Sequence, residues 1–189
     1  MPIVGSFAGA SARAYGLGAG GLIVGDFESI ATTVIGTATP SVTFSSIPQT
    51  YKHLQIRVMN RTTTGYDSYA LITLNSTATR THYLLGINNQ ALSGTNPNSI
   101  FGPAGYGPAG GWSSNIFGVG IIDILDYTNT NINKTVRTLT GVEGNALGGL
   151  SGLNSGYAAT TSAVTTITIT SQGTNFGQYS HFALYGLAG

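Results

Sequence analysis

An all-β domain, a β-sandwich or jelly roll, is what this sequence predicts, on three observations. Short apolar runs alternate with Thr, Ser, Gln and Arg at period two, which turns one face of each run to a core and the other to polar surroundings. Clusters of Gly, Pro, Asn and Ser separate the runs at fairly regular spacing, as in an antiparallel sandwich. No stretch repeats apolar residues at helical spacing.

The first 25 residues stand apart. Gly5, Gly9, Gly16, Gly18, Gly20, Gly21 and Gly25 lie among Ala, Leu, Ile, Val and aromatic residues, and Arg13 is the only charge. Glycine at this density disfavours helix and strand, because it loses the most backbone freedom on ordering. The segment is nevertheless too apolar for a solvated Gly/Ser linker. It reads as an assembly arm that orders by docking on a neighbour, with Phe7, Arg13, Tyr15 and Leu17 as its candidate anchors. Ala10-Ser11-Ala12 has the look of a signal-peptidase site, but no Lys or Arg precedes it and Gly5 and Gly9 break the apolar run. The expectation is a soluble, unprocessed chain: a 1–25 arm followed by a single domain over 26–189.

Within the domain the strands follow in order. Val42 and Phe44 alternate with Ser and Thr; Leu54, Ile56 and Val58 alternate with Gln55 and Arg57; Val164, Ile167 and Ile169 sit among threonines. Further strands are expected over 69–74, 82–87, 115–125, 135–142, 149–153 and 181–187, where Thr, Val, Ile, Tyr and Phe suit a pleated, half-buried surface. The 115–125 run is nearly continuous in apolar residues. It is expected to be a central strand buried on both faces, or on one face with a subunit partner on the other. Residues 94–115 read as a long irregular loop carrying the only tryptophan, and loops of that length are often functional.

Charge is the second informative feature. Only 7% of the 189 residues are charged, while 41% are hydrophobic. A freely dispersed domain carries a surface of about 25–35% Lys, Arg, Glu and Asp, so a chain this uncharged is expected to have neighbours covering much of its exterior. Residues 81–122 are extreme, with His82 their only titratable side chain apart from tyrosine. Charges gather instead around 52–67 and 123–143, the expected solvated exterior. A net charge of +1 with no basic stripe argues against nucleic acid. No run approaches the roughly 20 apolar residues of a membrane-spanning helix, so membrane insertion is not expected. The chain has no cysteine, which excludes disulfides and thiolate metal sites.

Five segments, FESIA at 27–31, SVTFSSIP at 41–48, YKHLQIR at 51–57, IDILDY at 122–127 with KTVR at 134–137, and YSHFALYG at 179–186, resemble a family of virion structural proteins of tailed bacteriophages, cyanobacterial phages among them. The likeness runs over most of residues 26–187. The SARAYG segment at 11–16 also resembles short attachment segments at the start of phage appendage proteins. The resemblance implies location in the virion after assembly in the host cytoplasm, with the arm toward the particle and the β domain outward. It implies contact with other virion proteins and a symmetric homo-oligomer, for which a trimer fits common appendage practice.

Candidate chemistry is sparse. Asp26 and Glu28 share a face if extended, the minimum for a carboxylate pair, but flanking the arm's exit is the simpler role. Asp123 and Asp126 are a poor pair, falling on opposite faces of a regular strand. The 126–131 segment has oxygen ligands at alternate positions but lacks the distal bidentate Glu of a calcium loop, and an Asx-type turn opened by Asp126 is expected. His53, His82 and His181 lie in separate strands and read as hydrogen-bonding residues. Arg57, Arg61, Arg80, Lys134 and Arg137 are candidates for specific salt bridges or for solvated strand edges.

No nucleophile elbow, zinc helix or phosphate loop is present, and no cofactor is expected. Tyr66, Tyr69, Tyr106, Trp112 and Tyr157 fall in or beside loops, where aromatics stack on sugar rings or anchor a protein contact. Of these Tyr66, Tyr106 and Trp112 are the candidate display contacts, for a host-surface glycan or for the next subunit, on loops 60–68 and 94–115, which are expected to present the contact surface. The expected role is that of a noncatalytic tail-fibre or tail-appendage subunit. A capsid decoration protein is the alternative, with a depolymerising tailspike behind it.

Overall fold

A computed structural model describes residues 27–63, 68–87, 90–96, 106–107, 116–143, 149–172 and 174–189. The assembly arm, including Phe7, Arg13, Tyr15 and Leu17, lies outside them, as do Asp26, Tyr66 and Trp112. The elements are β1 (Phe27–Val34), β2 (Ser41–Phe44), β3 (His53–Asn60), β4 (Ser68–Leu74), β5 (Thr77–Ile87), β6 (Gln90–Asn96), β7 (Tyr106–Gly107), β8 (Gly118–Leu125), β9 (Lys134–Glu143), β10 (Gly149–Ala158), β11 (Ile167–Ser171) and β12 (His181–Leu187). All pairings are antiparallel, in the order β1-β12-β3-β8-β9-β10-β5-β4-β11-β2, with β6 on β5 and β7 on β4.

Two four-stranded groups stand out in that order, β1-β12-β3-β8 and β5-β4-β11-β2. The connections β1–β2, β3–β4 and β11–β12 each step from one group to the other, which is the wrapped double Greek key of a jelly roll. Hairpin β9–β10 is inserted between β8 and β11 and bridges β8 to β5, so the two sheets continue into one strip. β1 and β2 occupy opposite ends of the strip yet are joined by residues 35–40 alone, so the strip rolls until its ends approach. The chain is all-β, a barrel-like sandwich.

The alternation seen in the sequence is what fills the interior. From one sheet Leu54, Ile56, Val58, Ile122, Ile124, Phe182 and Leu184 point inward; from the other Val42, Phe44, Ile72, Leu74, Ile167 and Ile169 meet them. Burying each of these side chains contributes about 1.5–3 kcal/mol. Phe176 bridges Thr39 and Thr62 and packs edge-on against Phe182 with ring centres 4.9 Å apart. The β4–β5 hairpin turns on Asn75 and Ser76, both with positive φ, as a two-residue type I′ turn requires. Asn75 also holds the approach to β11: its Oδ1 accepts from the amides of Thr165 and Thr166, and its Nδ2 donates to Ala163 O.

Four expectations need correction. β1 was not among the predicted strands: its residues 29–31 contain a bulge, which breaks the period-two signal of an edge strand. β10 runs five residues beyond the expected 149–153, through glycines that a propensity argument rejects. The 94–115 stretch is not wholly irregular, since β6 extends to Asn96 and β7 pairs Tyr106 with Tyr69. Of the two readings of β8, burial on both faces is corrected: its residues alternate, buried on one face as the other reading has it, with Val119, Ile121 and Leu125 exposed.

Candidate functional site

Asn60, the last residue of β3, and Gly118, the first of β8, pair at one end of the sandwich. β3 runs out there into Arg61, Thr62 and Thr63, and Phe117 stands just before β8. Segment 174–180, which leads into β12, ties down 61–63. Thr63 donates its amide to Asn175 O at 3.0 Å and Gly177 donates to Arg61 O at 2.8 Å. The Ser180 hydroxyl accepts the Arg61 amide at 3.1 Å and donates back to Arg61 O. Thr63 and Thr174 hydroxyls pair at 3.0 Å.

These bonds frame an open concavity of about 340 Å³ lined by Arg61, Thr63, Phe117, Gln178 and Tyr179. The Arg61 guanidinium lies 5.9 Å from the Phe117 ring centre, a cation–π placement that orients its donors. Gly177 makes room for the arginine stem: a Cβ there would stand 3.0 Å from Arg61 Cγ. Tyr179 is 65% exposed and has φ of 69°, an unusual state for a bulky residue, held by its amide bond to Ile35 O. The lining offers a guanidinium, an amide, hydroxyls and aromatic faces, with no carboxylate among the described residues. Such a set is suited to stacking and to hydrogen bonding.

Of the residues picked from sequence, Arg61 is at this concavity. Tyr106 lies in β7, beside β4, and Tyr157 projects from β10 on the outer sheet face. Phe117 and Tyr179 were not singled out. Tyr179 belongs to a regular-looking YSHFALYG run, and nothing in its neighbours signals the positive φ that pushes it outward.

A different arrangement occupies the place suggested for calcium. Asp126, at φ 46°, opens a turn there, but through its backbone: the Asn129 amide bonds Asp126 O, and the Asx-type bond belongs to Asn129, whose Oδ1 accepts the Asn131 amide. The cation there is the chain's own. Lys134 is fully buried and its Nζ donates to the carbonyls of Asn129, Ile132 and Thr161. Burial pushes the ammonium below the usual lysine range, opposed by the nearby Asp126 carboxylate. Lys134 is therefore neither a strand-edge charge nor part of the solvated exterior, as the sequence suggested. Asp126 is held below the usual carboxylate range mainly by the Lys52 ammonium, 2.9 Å away. His53 is a hydrogen-bonding residue, its Nδ1 accepting the Asp126 amide at 3.0 Å. Glu28 bonds the Tyr51 hydroxyl, whose pKa is raised by burial and then by that carboxylate.

The outer face of the β3-β8-β9 ladder carries the remaining charge. Arg137 pairs with Asp123 at 2.7 Å, Gln55 donates to the other Asp123 oxygen at 2.9 Å, and Arg57 donates to Gln55. The Arg57 guanidinium also lies over the rings of Phe27 and Tyr185. Among the described residues no group of three or more His, Cys, Asp or Glu could hold a metal, and no helix is long and apolar enough to cross a membrane. Comparisons with protein-family models, with characterised proteins and with solved structures return no match.

Proposed function

We propose that this chain is a noncatalytic structural subunit of a tailed-phage virion. In this reading it is one copy of a homo-oligomeric tail fibre or tail appendage, fixed to other virion proteins through residues 1–25. The sandwich supplies a rigid stalk, and its loop end supplies the contact with a host surface. One observation carries the display role: the segment that leads from β3 and the residue before β8 meet at one concavity, where Tyr179 stands exposed beside Arg61 and Phe117. An exposed phenol ring with a neighbouring guanidinium suits a sugar, whose ring stacks on the aromatic face while its hydroxyls accept the guanidinium protons. The sequence resemblance supports the virion setting.

Capsid decoration is the second reading, favoured by the broad, weakly charged outer sheet face, which suits a subunit gripped between neighbours. Binding to host-surface glycans, compared for the parent, Tyr179→Ala and Trp112→Ala, tests the display role. Loss of binding of about tenfold or more in Tyr179→Ala is expected, and equal binding by all three proteins removes the loop end from the account. Release of sugar from host polysaccharide would show a depolymerase instead.

A further inference from the structure

The outer face of β3, β8, β9 and β10 carries an apolar row that the monomer leaves open. The register places Arg57, Ile121, Leu139 and Leu153 side by side across the four strands. Ile121, Leu139 and Leu153 are 40%, 60% and 45% exposed. The next row toward the loop end is Met59, Val119, Gly141 and Ser151, with Met59 and Val119 42% and 58% exposed. On the other side lies a polar row, Gln55, Asp123, Arg137 and Ser155. A groove of about 550 Å³ runs between Val119, Ile121 and Leu139, floored by Gly120 and Gly141.

We infer that this face packs against the same face of a second copy, about a two-fold axis that runs along the strands between β8 and β9. Such an axis keeps each row opposite itself and exchanges β8 with β9 and β3 with β10. Ile121 then faces Leu139 of the second copy, twice. Val119, the prominent knob of its row, faces the gap at Gly141. In the polar row Asp123 faces Arg137 of the second copy and the reverse, so each existing ion pair gains a second partner of opposite sign. An in-plane axis across the strands through the central row sets the charged row against the Met59 row, and one through the charged row sets Asp123 against Asp123 and Arg137 against Arg137 of the second copy; neither gives these charges a partner of opposite sign. The charge pattern therefore selects both the partner and the orientation.

The size fits. Four strands about 4.8 Å apart and eight residues long make a face of roughly 19 by 27 Å in projection. Its accessible area, larger than the projection, is on the scale of the 800 Å² or so per partner found in stable interfaces. An apolar centre with a rim of Arg57, Arg137, Ser151 and Ser155 is the usual interface anatomy. The contact is isologous and gives even-numbered assemblies, in place of the trimer that appendage practice implies. It does not depend on the virion reading: the contact fails if the chain is monomeric in solution, whatever particle it enters.

Sedimentation of the full chain at micromolar concentration reads the contact directly. A dimer is expected, and Leu139→Asp, at an exposed position, is expected to weaken it by about 100-fold while the circular dichroism stays that of the parent. Should Leu139→Asp misfold, Val119→Asp carries the same test. The chain has no cysteine, so a short bismaleimide locates the axis. A mixture of Met59→Cys and Ser151→Cys chains is expected to cross-link across the roughly 10 Å between packed sheets, and neither variant with itself. A monomeric parent, a trimer, a dimer indifferent to both aspartates, or cross-linking of Met59→Cys with itself overturns the inference.

Discussion

Lys134 is the residue that most changes the chemistry of its surroundings. Its ammonium satisfies three carbonyls that a loop of Asn and Thr would otherwise turn inward without donors. Lys134→Met keeps the stem and deletes the donors, so it is expected to lower unfolding stability by about 3 kcal/mol in urea titration. Asp126 contributes through charge. Because Lys52 holds its folded pKa below the ordinary carboxylate value, its contribution is present above that value and is lost as pH falls through the folded pKa. Asp126→Asn keeps a residue that tolerates the positive φ, and its stability is expected to vary less than the parent's as pH falls below the ordinary carboxylate range. The sequence shows alternating oxygen ligands at 126–131 and suggests a divalent cation. What it hides is that Lys134, eight residues on from Asp126, folds back into the same loop, because that depends on tertiary burial rather than on spacing.

At the scale of elements, the strands most legible in sequence are those whose apolar side faces the core: β2, β3, β4, β8, β11 and β12. β10 inverts the rule. Its inward positions are Gly152, Asn154 and Gly156, while Leu153 and Tyr157 point out, so the apolar period that marks a strand here marks its outer surface. The candidate site was legible to the extent that two loops were marked for display. The concavity was not, because its frame rests on hydrogen bonds between 61–63 and 174–180, segments far apart in the chain. β12 carries a close approach of its own: a Cβ on Gly186 would lie 2.3 Å from ring carbons of Tyr51. Gly186→Ala is expected to destabilise the domain by about 2 kcal/mol through overpacking, with the loss partly recovered in the double variant with Tyr51→Ala. Equal, additive losses in the thermal midpoints would contradict that contact.

At the scale of the whole molecule, scarcity of charge and surface apolarity belong together. The rolled sheet buries one side of its strands, yet Val119, Leu139 and Leu153 remain open on the other, between the Asp123–Arg137 row and the loop end. In the proposed reading three parts of the chain meet three neighbours: residues 1–25 a particle, the outer sheet face a second copy, and the concavity at the loop end an outside ligand. Those contacts are independent, so losing one leaves the others to be tested. Assembly into a virion is the claim that gathers them, and electron microscopy of phage particles labelled through a C-terminal tag tests it most directly. Label on the tail is the expected result; particles that carry no label at all would contradict the account, and label on the head shell would replace the appendage with a decoration subunit.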